Sequence, residues 1–243
     1  MHFHFRYQEF PPFHISGHES LSIREGTLYA KNSGGKSLKL YATRNHTRAL
    51  LSGGPLNVEY EFLEMHFHWG DVDGNGSGGE GSEHTIDGKS YPAELHMVHR
   101  NIHDEEVSEA LEHENGLTVL GFNFQVVKKA RLKNRNIGMD MLTKIARGHL
   151  TQPDSKVDKD KLKTKYPKGD VNVINFLPVL MDEYFYYRGS LTTGGCEESV
   201  NWIVFKNPLA ITEDHLRAFQ SLTNKNGENI INNFRPTQRV NER

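Results

Sequence analysis

Val58, Tyr60 and Phe62 alternate with polar neighbours and run directly into Glu64-Met65-His66-Phe67-His68-Trp69-Gly70. Alternation with a period of two predicts a half-buried strand, and in a strand residues two apart point to the same face. Glu64, His66 and His68 therefore share a face. Pro92 opens a second predicted strand, a tolerated place for proline. In that strand Glu94, His96 and Val98 share a face and His99 falls on the other. Paired side by side, the two strands bring three imidazoles together with two carboxylates behind them.

The remaining pattern is mostly that of a β protein. Phe10-Pro11-Pro12 and Ser52-Gly53-Gly54-Pro55 signal a loop and a turn. Leu21, Ile23 and Leu28 sit in short runs bounded by Gly26 and Ser33-Gly34-Gly35, and Leu38-Lys39-Leu40 alternates. The run from Gly116 to Val127 predicts a long central strand. Val200, Trp202 and Val204, alternating against Ile203 and Phe205, predict another buried one. Helical spacing appears over 104–113 and 140–147. It appears again after Thr212, which caps a helix with Glu213 and Asp214 in its first turn and Leu216, Phe219 and Leu222 inward. Residues 151–168 are polar and Lys-rich and read as an exposed excursion. Asp71 to Gly81 is rich in Gly and Asp. Counted from Asp71, the twelfth position is Ser82, not the acidic ligand a calcium loop requires, so the stretch reads as a flexible surface loop. No internal repeat or linker divides the chain. The expectation is one β-rich domain over 1–243, with a large twisted, mainly antiparallel sheet and short flanking helices.

Composition narrows the function classes. With 29 basic and 31 acidic residues the formal charge is −2, which gives no basis for a nucleic-acid groove or for binding an anionic membrane surface. No apolar run approaches the ~18 residues of a membrane span. Met1-His2-Phe3-His4-Phe5-Arg6 lacks the pattern of a signal peptide, so a cytoplasmic monomer is the default expectation. Cys196 is the single cysteine, which excludes an internal disulfide and thiolate metal clusters. Two sequons occur, at Asn45-His46-Thr47 and Asn75-Gly76-Ser77.

Fourteen histidines make metal binding worth testing against spacing. His96 stands among Leu95, Met97 and Val98 and is expected to be buried. A buried imidazole needs partners for both nitrogens. A metal on one and a carboxylate on the other would meet that need. Three neutral imidazoles with one open position form the ligand set of a catalytic Zn2+ site. Zinc there lowers the pKa of water to about 7, giving hydroxide at neutral pH.

The combined motifs resemble the α-class carbonic anhydrases, the reference case for this ligand set and this pKa. The likeness is carried by 64–70, by Gly81-Ser-Glu-His-Thr-Ile-Asp-Gly-Lys and by Ala93-Glu-Leu-His-Met-Val-His. Gly189-Ser-Leu-Thr-Thr, Val200-Asn-Trp-Ile-Val and Asn233-Phe-Arg-Pro-Thr-Gln extend it over nearly the whole chain. The resemblance implies zinc-dependent reversible hydration of CO2 to bicarbonate and a proton. It makes His66, His68 and His96 the zinc ligands and has Glu94 hold the far nitrogen of His96. Thr192 would accept from the zinc-bound hydroxide and donate to Glu83. Thr193 would line the substrate side, and Val98, Val119, Leu191, Val200 and Trp202 the apolar CO2 pocket. His84 would be a buried structural histidine.

Several positions depart from the family pattern. The family carries ~30 residues before the point where Met1 falls, so the domain is expected to lack that segment. Gly35 stands at the usual proton-shuttle histidine, which implies slow proton export rescued by imidazole-type buffers; His46 is the nearest substitute in sequence. Gly194-Gly195 replaces a Pro-Pro pair and is expected to loosen the loop carrying Thr192, so that restoring proline at both positions should raise activity. Glu64 stands where many members have Gln and, bonded to the first ligand, would make His66 more electron-donating. Cys196 occupies the place of a half-cystine in secreted members, and with the sequons it hints at a secreted lineage. The main rival to an active hydratase is a catalytically weak or inactive carbonic-anhydrase-like binding protein; retention of all three histidines favours the enzyme. A zinc esterase would use the same hydroxide.

Overall fold

The computed structural model describes residues 10–43, 48–71, 79–128, 136–178 and 180–238. Among these residues ten strands form one sheet. They are β1 (Phe13–Ser16), β2 (Leu28–Ser33), β3 (Ser37–Ala42), β4 (Leu50–Gly53), β5 (Tyr60–Trp69), β6 (Ala93–Asn101), β7 (Leu117–Val126), β8 (Lys156–Val157), β9 (Tyr184–Gly189) and β10 (Val200–Ile211). The order is β8-β2-β3-β5-β6-β7-β10-β9, with β4 bridging β1 to β5 off this path. Every strand pair is antiparallel except β7 with β10, so the expected β-rich, mainly antiparallel sheet is what the chain forms.

The sheet is covered on both faces at its centre. In β6 every residue but Arg100 is buried, and in β7 all are buried up to Phe124. One face carries the main core, where Met65, Phe67, Leu95, Met97, Leu120 and Phe122 pack under α2 (Ile137–His149) and α4 (Glu213–Phe219). Phe67 and Trp69 meet Phe219 with ring centroids 4.9 and 5.5 Å apart. Because side chains alternate along β5, anchoring Phe67 and Trp69 in this core turns Glu64, His66 and His68 to the opposite face. Burial of that apolar set therefore fixes the register of the polar one.

The helices differ from expectation in extent. The 104–113 stretch keeps one turn, α1 (Val107–Ala110), because only Ala110 finds a core to enter. The 140–147 helix runs longer, as α2, since the Asn136 side chain accepts from Met139 N–H at 2.9 Å and caps it earlier. The helix after Thr212 is α4, with the predicted cap. Residues 151–168 are not wholly an exposed excursion. β8 pairs with β2, and α3 (Lys159–Lys165) follows, capped by Asp158. Two apolar residues suffice to dock this polar segment, because Val157 and Leu162 are fully buried in the main core. His46, both sequons and most of the Gly- and Asp-rich loop lie outside the described residues. Among the described residues no helix is long and apolar enough to cross a membrane.

Candidate metal centre

A β-bulge between Phe62 and Glu64 sets the pairing of β5 with β6 so that His66 stands opposite His96 and His68 opposite Glu94. The three rings form a tight triangle, with centroids 5.0, 5.1 and 4.7 Å apart. One nitrogen from each lies within 4.8 Å of the other two.

Each ring is oriented through its outer nitrogen. His66 Nδ1–H donates to Glu64 Oε1 at 2.7 Å, His68 Nδ1–H to the Asn233 carbonyl at 2.9 Å, and His96 Nε2–H to Glu94 Oε1 at 2.7 Å. These bonds set the tautomers, leaving lone pairs on His66 Nε2, His68 Nε2 and His96 Nδ1. His68 Nε2 is buried with no hydrogen-bond partner. An orphaned acceptor of this kind, beside two more lone pairs, is costly in a protein interior and is satisfied by a cation. Nitrogen donors of this type suit zinc, and the residues fit it.

Glu94 is the hub behind the rings. It is fully buried; its Oε2 accepts from the backbone N–H groups of Glu83 and His84, both at 2.8 Å. Its Oε1 accepts from His96 and also from His84 Nδ1–H at 2.5 Å, while His84 Nε2 accepts from the Tyr187 hydroxyl at 2.7 Å. Burial alone would push the Glu94 carboxyl up, but His84 and His96 outweigh it and hold it well below the usual carboxylate range. Burial opposes ionisation at Glu64 too, and His66 and Lys39 bring its pKa below the ordinary value. Burial lowers His66, against Glu64, and lowers His68 strongly with help from His96 and His66. At His96 the surrounding carboxylates, Glu94 first, outweigh burial and raise it.

A cavity of about 700 Å³ opens over His66 and His68, bordered by Gly35, Lys39, Thr193 and Gly194 among others. Val98, Val119, Val200 and Trp202 are buried in one apolar cluster, with Leu191 packed against it and the Trp202 ring centroid 4.7 Å from that of His96. Gly35 is buried at φ 68°, and a Cβ there would come within 2.8 Å of the Asn224 backbone, so the fold itself excludes a side chain at that position.

The loop after Leu191 is less complete. Thr192 is half-buried and Thr193 exposed. Glu83 Oε1 accepts from Arg235 N–H at 2.9 Å, and Glu83 Oε2 is buried without a partner. No hydrogen bond links Thr192 to Glu83 among the described residues. Gly194 at φ 70° and Cys196 at φ 56° both turn this loop in the left-handed region. That geometry overturns the expectation that proline at both glycines would help. Proline is locked near φ −65°, so it cannot occupy position 194 as the loop stands.

Three contributors escaped the sequence reading of the site: the Asn233 carbonyl, Tyr187 and Lys39. Asn233 also clamps the end of β5, accepting from Trp69 N–H at 2.7 Å and donating to the Phe67 carbonyl at 3.1 Å. A backbone carbonyl carries no sequence signature. Lys39 did carry one, as the polar member of an alternating strand.

Comparison with known proteins bears on the same residues. The family described as eukaryotic-type carbonic anhydrase matches residues 4–243. Carbonic anhydrase 3 of Homo sapiens is 31% identical over 229 residues, covering 92% of this chain and 79% of that protein. A mitochondrial carbonic anhydrase 5B of Rattus norvegicus is 36% identical over 196 residues, 79% of this chain and 55% of its own length. A putative carbonic anhydrase 3 of Caenorhabditis elegans is 34% identical over 194 residues, 79% of this chain and 65% of its own.

Proposed function

Because the chain belongs to the eukaryotic-type carbonic anhydrase family, we propose that it catalyses the reversible hydration of CO2 to bicarbonate and a proton at a zinc ion held by His66, His68 and His96. The observation that carries this reading is the convergence of three ring nitrogens whose opposite nitrogens are all engaged, one of them buried and orphaned. Bound zinc is a Lewis acid that brings the pKa of water to about 7, so hydroxide is available near neutral pH.

The chain's own residues supply orientation and shape. Glu64, the Asn233 carbonyl and Glu94 keep each imidazole aimed and basic, with its free lone pair toward the cavity. The cluster of Val98, Val119, Leu191, Val200 and Trp202 suits a small apolar electrophile and excludes water from its path. Thr192 is assigned to orient the nucleophile, with Glu83 Oε2 the acceptor available to its hydroxyl; Thr193 lines the substrate side. Protons leave through the cavity beside Gly35, a position with no imidazole to carry them, so export falls to buffer.

One observation favours a second reading, a member that binds zinc and turns over weakly: the hydrogen bond from Thr192 to Glu83 is not formed. Zinc stoichiometry with stopped-flow CO2 hydration, on this chain and on His96→Ala, separates the readings. One zinc per chain and activity lost in His96→Ala are expected. Zinc-free protein, or equal activity in both, rejects the hydratase. Stoichiometric zinc with turnover near background selects the weak member.

A further inference from the structure

The metal-centre assignment leaves Lys39 without a role. β3 pairs with β5 so that Lys39 stands directly opposite His66, and cross-strand partners point to the same face. Lys39 accordingly borders the cavity beside His66 and His68. Its Nζ lies 3.5 Å from Glu64 Oε1, the oxygen that accepts the His66 Nδ1–H at 2.7 Å. The Lys39 and Glu64 side chains are only 27% and 14% exposed, so solvent screens the pair weakly. Glu64 Oε2 is buried with no partner. A carboxylate in that setting is costlier than a neutral amide would be, and it calls for a counter-charge. Held by a single N–H from His66, it could also pivot about that bond. A cation on the same oxygen removes both problems.

We infer that Lys39 is a positioning residue for the metal centre: its ammonium anchors the Glu64 carboxylate against His66 and thereby keeps His66 Nε2 turned into the cavity. The inference rests on the zinc assignment but adds a residue outside the ligand set and its direct hydrogen-bond partners. It makes Lys39 and Glu64 one functional unit. Truncating Lys39 matters only while position 64 carries a carboxylate.

The test uses the full chain as wild type, Lys39→Met, Lys39→Arg, Glu64→Gln and the Lys39→Met/Glu64→Gln double variant. Two quantities are read: the rate of zinc loss to excess chelator, and the His66 tautomer in zinc-free protein by imidazole 15N NMR. Lys39→Met should release zinc about tenfold faster, the low end of the effect of removing a partner that orients a metal ligand. It should also mix the His66 tautomers, and Lys39→Arg should restore both readouts. In the Glu64→Gln background, Lys39→Met should add nothing. Wild-type behaviour of Lys39→Met in both readouts, or the same acceleration with Gln at 64 as with Glu, overturns the inference while leaving the zinc reading intact. A wild type that takes up no zinc rejects the zinc reading, and the tautomer populations then decide Lys39 on their own.

Discussion

Two regions meet at the cavity and are built in opposite ways. On the β5–β6 face each imidazole has its outer nitrogen bonded, and Glu94 alone accepts four hydrogen bonds. On the 191–196 loop, two left-handed residues make the turn, and among the described residues no hydrogen bond joins Thr192 to Glu83. A buried hydrogen-bond network resists change because breaking one member strands the others. A glycine turn at the surface carries no such coupling, so sequence can drift there without unfolding the protein. On the proposed zinc reading, holding the metal belongs to the coupled network and tuning turnover belongs to the loop.

The largest effect should come from the hub. Glu94→Gln removes the charge that four donors share, and breaking a buried ion pair typically costs about 3–5 kcal/mol. Zinc affinity should fall about 10–100-fold as well, measured by chelator competition. Unchanged zinc affinity would show that the network is not what holds the ligands.

On the opposite face of the sheet, His18 and His99 are fully buried with their Nε2 atoms 3.0 Å apart. Burial, reinforced at His99 by its neighbour His18, pushes both pKa values down, His99 far down. A histidine depressed in the fold contributes stability that is present above its unfolded pKa of about 6.5 and lost as pH falls below it, because the unfolded chain then binds more protons. Unfolding free energy should fall between pH 7 and pH 5 by up to about 1.4 kcal/mol per pH unit for each ring, seen as a falling melting temperature. His99→Gln should flatten that slope; a profile as steep as wild type would exclude the pair as its source.

The loop side is sharpened by Gly194→Pro. Forced on a φ of 70°, it should destabilise the protein by more than about 1 kcal/mol and lower kcat/KM, read by thermal melting and stopped-flow kinetics. A gain in activity would mean the loop adopts another conformation in solution.

The smallest effect is a gain. Asn123 lies opposite Glu94 on β7, fully buried, with neither polar atom of its side chain hydrogen-bonded. Asn123→Leu should raise stability by about 1 kcal/mol, since an unsatisfied amide is exchanged for an apolar group. A fall in melting temperature would point to a buried water that the amide holds.

Much of this architecture could be read in advance wherever a short-range rule governs it. The His66-x-His68 spacing places two rings on one face, the Gly116–Val127 run becomes the central β7, and Thr212 caps α4. What escaped reading depends on residues far apart in the chain. Residues 151–168 look solvated until Val157 and Leu162 find the core. Gly194-Gly195 reads as slack, and only its backbone angle shows that proline cannot return at 194.

The sequence by itself determined which side chains could bind a metal and which faces they occupy, because strand periodicity is a property of neighbours. Tertiary structure decided which imidazole nitrogen is left free. It did so through the Glu83 and His84 groups that fix the Glu94 carboxylate behind His96, through Lys39 on Glu64 across a strand pair, and through the carbonyl of Asn233, 165 residues from His68. A backbone carbonyl has no identity to read in a sequence, and its place beside a ring exists only once the whole sheet has closed around it.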